Sequence, residues 1–128
     1  MNKTQGYVQN SYSVQTKRYC QTLDLKDDPE LIEEYIKRHS ESFHWPEIRE
    51  GIRSIGILEM EIYQIETKLF MIVETPLDFK WEEAFGKLSK LPRQAEWEEH
   101  ISAFQQAESV ATSSDKWELM ERIFYLYE

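Results

Sequence analysis

The run Ile57-Leu58-Glu59-Met60-Glu61-Ile62-Tyr63-Gln64-Ile65, followed by Glu66-Thr67 and then Lys68-Leu69-Phe70-Met71-Ile72-Val73, decides how the rest of the chain is read. Leu58, Met60 and Ile62 fall on one side of an extended backbone and Glu59, Glu61 and Tyr63 mostly on the other, the two-residue period of a half-buried strand. Glu66-Thr67-Lys68 is a polar break short enough for a hairpin, although it lacks the glycine of the tightest turns. Leu69 to Val73 supplies the second strand.

Upstream, the aromatic and β-branched content from Arg18 to Leu25 predicts a first strand, stopped by Asp27 and Asp28. Asp28-Pro29 starts a helix, because aspartate caps free amides and proline loses nothing at the first helical position. That helix is expected to run to about Glu41, with Leu31, Ile32, Tyr35, Ile36 and His39 on one face. Trp45-Pro46 interrupts it, since a residue before proline avoids the α region. Pro46 opens a second helix carrying Ile48, Ile52 and Ile55, and Gly56 ends it.

Downstream of the hairpin, Trp81, Phe85 and Leu88 recur at helical spacing, and Pro92 begins a further helix with Trp97, Ile101 and Phe104. Ala111 to Lys116 reads as a polar loop, and Ile123 to Tyr127 as a closing strand. The order is strand, helices, hairpin, helices, strand, the pattern of a split βαβ unit. It predicts an α+β, ferredoxin-like antiparallel sheet with helices on one face. The uncovered face calls for a second copy of the chain, so a homodimer is expected.

At 128 residues, 41% of them hydrophobic, the chain has material for one core. Residues 1–15 are polar and read as a flexible tail, with the folded domain over 16–128. A net charge of -9 repels a phosphate backbone, so nucleic acid is not an expected partner. Neither a membrane-spanning run nor the apolar stretch of a signal peptide is seen. Cys20 is the only cysteine, which allows no internal disulfide and fits a reducing cytoplasm. The three histidines form no metal motif, and the four glycines form no phosphate loop, so neither a metal nor another cofactor is expected.

Tyr35 and His39 stand four apart, which puts a phenol and an imidazole on one helical surface, able to grip and titrate a hydroxyl or simply to edge the core. Tyr35-Ile36-Lys37-Arg38-His39, followed by Trp45-Pro46-Glu47, resembles the Tyr-x-x-x-His and Trp-Pro-Glu segment of the L-rhamnose mutarotase family. The resemblance continues through Gly56, Tyr63, Leu69-Phe70, the Trp97 helix and Ile123-Phe124-Tyr125-Leu126. It implies a dimeric α/β-barrel and a cofactor-free isomerase that interconverts the anomers of a 6-deoxyhexose. By the same resemblance His39 is the acid/base, while Tyr35 and Trp97 line the sugar site.

Two departures bear on which sugar is bound. The family shows a paired Trp-Trp where this chain has Trp97-Glu98, and a strand tyrosine where this chain has Met60. With Trp45, Met60 and Glu98 complete the candidate substrate-binding set. L-rhamnose is favoured because the Tyr35 to Pro46 segment lies closest to that family, with L-fucose as its rival. Trp81 and Phe85 read as core. Glu59 and Glu61 read as a solvated or dimer-facing edge from which one carboxylate can reach the site, His44 and His100 as surface, and Cys20 as packed. Two other classes fit a dimeric ferredoxin-like domain: a haem- or quinone-type monooxygenase with His39 as a ligand, and a non-catalytic interaction module.

Overall fold

In the computed structural model of this chain, which describes residues 3–40, 45–102, 104 and 116–127, four strands and four helices follow one another as β1 (Thr16–Asp24), α1 (Pro29–Arg38), α2 (Pro46–Ser54), β2 (Glu59–Ile65), β3 (Lys68–Pro76), α3 (Trp81–Leu88), α4 (Gln94–Ser102) and β4 (Glu118–Leu119). The strands form one antiparallel sheet in the order β2-β3-β1-β4. β3 therefore enters between β1 and β2, the split βαβ arrangement of a ferredoxin-like fold.

Local chemistry sets the helix starts. The Asp28 carboxylate accepts from the backbone N–H groups of Glu30 (3.0 Å) and Leu31 (3.4 Å), ahead of Pro29. Trp45 is extended at φ -94° and ψ 117°, and Pro46 opens α2. Gly56 ends that helical stretch with φ 101°, a backbone region open to glycine without strain. α1 stops at Arg38, short of Glu41, because the His39 N–H turns to the Ile36 carbonyl (3.2 Å) and tightens the last turn. In the hairpin the missing glycine shows as a left-handed Glu66, φ 51°.

β1 and β3 pair along nine positions, from Thr16 opposite Pro76 to Asp24 opposite Lys68. Leu69, Met71, Val73 and Thr75 of β3 are buried towards the helices, packed with Leu23, Leu25, Ile48, Ile57 and Phe85. The other face carries Cys20, Thr22, Phe70 and Ile72, with Glu59, Glu61 and Tyr63 at its β2 margin. Residues 7–12 of the N-terminal segment meet that margin. Tyr7 stands edge-on to Tyr63 (5.6 Å), and Asn10 Nδ2 and Gln9 Nε2 donate to the carboxylates of Glu59 (2.9 Å) and Glu61 (3.3 Å).

The closing strand differs from expectation. Sheet pairing is made by Glu118–Leu119 against Gln21 and Thr22, extended by the Met120 N–H to the Cys20 carbonyl (2.8 Å). Ile123 to Tyr127 pairs with nothing in the sheet, and Ile123 is 92% and Phe124 72% exposed. A β-rich composition marks a run as able to pair, but long-range geometry selects the partner. His44, Thr112 and most of the expected Ala111 to Lys116 loop lie outside the described residues.

Candidate functional site

A cavity of about 390 Å³ opens between the sheet and helices α1, α2, α3 and α4, within the size range of small-molecule sites. Its walls are mainly apolar: Ile48 and Ile52 from α2, Ile62 and Met71 from the sheet, Phe85 and Leu88 from α3. Tyr35, His39, Trp45, Met60 and Trp97 all line it, so five of the six residues singled out from sequence converge.

His39 closes α1 at its C-terminal end. Its Nδ1 lies 2.9 Å from the Tyr35 carbonyl oxygen, which can only accept, so Nδ1 carries the hydrogen and a neutral ring leaves Nε2 as a base. Burial pushes the imidazole pKa below its ordinary value, the Tyr35 hydrogen bond opposes this, and the Arg49 charge adds to the lowering. The ring is therefore uncharged at neutral pH. It lies 4.3 Å from the Tyr35 ring and stands edge-on to Trp97 at 5.3 Å.

Trp45 is held from several sides. The Arg93 guanidinium sits 4.0 Å from its ring centroid, His100 stacks on it at 5.3 Å, and Trp97 meets it edge-on at 5.2 Å. Arg93 also pairs with Glu47 (3.5 Å) and Glu96 (3.8 Å), and it holds a left-handed backbone, φ 64°, just before α4. His100 accepts from Arg38 (2.6 Å) through Nε2, which requires a neutral ring, and desolvation followed by the Arg38 charge lowers its pKa. It supports Trp45 from outside the cavity lining.

Glu98 does not line the cavity. One step along a helix from Trp97 is a turn of about 100°; Glu98 is buried elsewhere, its carbonyl accepting from the Lys116 ammonium at 3.0 Å. Desolvation lowers the Lys116 pKa, opposed by the Glu98 charge.

The cavity also gathers residues that the sequence reading passed over, Gln21, Arg49, Arg53, Gln94 and Trp117, and Phe85, read only as core; Glu59 borders it, but its carboxylate accepts from Asn10 on the opposite sheet face. Gln21 has a signal in retrospect, as a polar residue at the inward position between Tyr19 and Leu23. Gln94 precedes Trp97 by three and so shares its face. Trp117 follows the long segment after α4 and has no local pattern to betray it.

The family model described as L-rhamnose mutarotase matches residues 18–126. An L-fucose mutarotase of Xanthomonas campestris is 33% identical over 112 residues, covering 88% of this chain and 90% of that protein. A UPF0734 protein of Dictyostelium discoideum is 44% identical over 91 residues, covering 70% of this chain and 71% of the relative. The crystal structure of an L-rhamnose mutarotase from Formosa agariphila superposes with a TM-score of 0.64 at 18% identity, over 86% of this chain and 98% of that one, a likeness of fold. With a cavity that gathers the Tyr35, His39, Trp45 and Trp97 side chains and a family match spanning nearly the whole folded domain, the chain belongs to the L-rhamnose mutarotase family.

Proposed function

We propose that this chain interconverts the α and β anomers of a 6-deoxyhexose, L-rhamnose ahead of L-fucose, by acid/base catalysis at His39 without a cofactor. The observation that carries the reading is the fixed tautomer of His39 at the cavity: Nδ1 is committed to the Tyr35 carbonyl and Nε2 is left to take a proton. The family match favours this over a haem- or quinone-type monooxygenase.

In the proposed cycle His39 Nε2 removes the anomeric hydroxyl proton, the C1–O5 bond breaks, and the ring oxygen takes up a proton to give the open aldehyde. Rotation about C1–C2 presents the other carbonyl face to the same hydroxyl, and the two proton transfers run in reverse as the ring closes. No net proton is gained or lost, which suits a neutral histidine that takes up a proton in one step and returns it in the next. The Tyr35 hydroxyl is the proposed partner at the ring oxygen. Trp97, Trp45 and Met60 offer apolar surface to the sugar's C–H face.

A homodimer is part of this reading, supported by the apolar Ile123 to Tyr127 run that is exposed in a single copy and by Phe70 and Ile72 on the sheet face away from the helices. The cytoplasm is the proposed location, on the single cysteine. Among the described residues no helix is long and apolar enough to cross a membrane. Exchange spectroscopy on L-rhamnose and L-fucose side by side tests the activity: acceleration of at least one is expected, and buffer-level exchange of both would overturn it.

A further inference from the structure

We propose that Gln94 is the residue that reads a ring hydroxyl of the sugar, and so a determinant of which 6-deoxyhexose the cavity accepts. The inference rests on the mutarotase reading of the cavity and names a recognition element within it.

Gln94 is only 3% exposed and lines the cavity that His39 lines. Its backbone N–H is taken by the Leu91 carbonyl (3.2 Å), but its carboxamide has no hydrogen-bond partner among the described residues. Buried amides are almost always paired, because leaving one dry and unpaired forfeits its hydration. An amide kept unpaired beside a cavity is poised for a polar group that arrives in the cavity. A carboxamide has one acceptor oxygen and two donor hydrogens, so it can meet hydroxyls in either sense, and it carries no charge that would select an anion.

The backbone is bent to put it there. Arg93, the residue before, holds the left-handed φ of 64° that few non-glycine residues adopt, and it is pinned by Trp45, Glu47 and Glu96. That turn starts α4 with Gln94 facing inward, three residues before Trp97 on the same face. Across the cavity the Gln21 carboxamide, 2% exposed, makes only a long 3.5 Å bond, to the Trp117 carbonyl, among the described residues. Two buried neutral carboxamides in mainly apolar walls, beside His39 and the Arg49 and Arg53 side of α2, fit a neutral polyhydroxylated ring. L-rhamnose and L-fucose differ in configuration at C2 and C4, so an amide at a fixed place distinguishes them by the hydroxyl it can reach.

The test is Gln94→Met, which keeps the length and removes the polar atoms. Its melting temperature should equal or exceed that of the parent, since no protein hydrogen bond is lost. The Kd of the better sugar, from saturation-difference NMR, and its KM should each rise about tenfold, the scale of one neutral hydrogen bond, with kcat within about threefold of the parent. Of the 2-deoxy and 4-deoxy analogues of that sugar, one should bind the parent protein weakly and bind Gln94→Met no worse than the full sugar does. An unchanged Kd and KM in Gln94→Met overturns the proposal, as does a lowered melting temperature with binding intact, the signature of a structural amide. A parent protein that binds these sugars without speeding their exchange removes the mutarotase reading and leaves the binding arm to decide on Gln94. A parent that binds none of them removes both.

Discussion

The Nδ1–H of His39 donates to the carbonyl oxygen of Tyr35, four residues earlier on the same helix, at 2.9 Å. The bond uses a carbonyl that the end of α1 would leave unpaired, and in the same stroke it orients a base. His39→Ala should lower the anomer-exchange rate by about two orders of magnitude or more, the scale of a lost general acid/base, with an unaltered far-ultraviolet circular dichroism spectrum. Tyr35→Phe should cost less, because the ring stays and only the hydroxyl goes. Parent-like exchange by His39→Ala would refute the assignment.

The pH profile follows from the same ring. Burial holds the His39 pKa below its ordinary value of about 6.5, so the base is free at neutrality and exchange should fall only as the solution is acidified past that lowered pKa. Stability moves in the same sense. The unfolded histidine binds its proton at higher pH than the folded one, so stability is complete above about pH 6.5 and is lost as the pH falls from there through the folded pKa. His100, lowered by desolvation and Arg38, adds to that trend. Denaturant melts at pH 7.5 and at pH 5.5 should rank in that order, and His39→Gln should flatten part of the difference.

The α1 cap gives a stability prediction independent of the chemistry. Asp28 accepts two backbone N–H groups, and Asp28→Ala should destabilise by about 1 kcal/mol, the usual worth of such a cap. Asp28→Asn should recover most of it. Urea unfolding with an unchanged m-value measures both.

Light scattering at micromolar concentration should report a dimer for the parent chain. Ile123 and Phe124, exposed at 92% and 72% in one copy, make Phe124→Asp the sensitive variant. It should shift the population towards monomer while the melting of the core changes little, and a parent that is already monomeric would remove the dimer from the reading.

Much of this was legible along the chain, and for local reasons. The alternation from Leu58 to Ile65, the Asp28-Pro29 start and the Trp45-Pro46 break each depend on a few neighbouring residues whose side-chain directions and backbone preferences act without the rest of the fold. The Tyr35 and His39 pair was visible for the same reason, since four residues of helix suffice to align them. The errors fall where a residue's meaning depends on a distant partner. Glu98, expected in the site beside Trp97, does not line the cavity, and its backbone carbonyl accepts from Lys116. The strand expected at Ile123 to Tyr127 gave way to Glu118–Leu119 because β1 offers its edge there.

The amino-acid sequence by itself determined the element order, the hairpin, the helix starts and the family, and it singled out Tyr35, His39, Trp45, Met60 and Trp97, which line the cavity, since each is a matter of period, cap chemistry or motif within a short span. Only the tertiary structure decided that β3 enters between β1 and β2, and that Gln21 from the sheet and Gln94 from α4 reach the cavity of His39. Those residues are separated by most of the chain, and a buried amide differs from an exposed one only when the surfaces that bury it have come together.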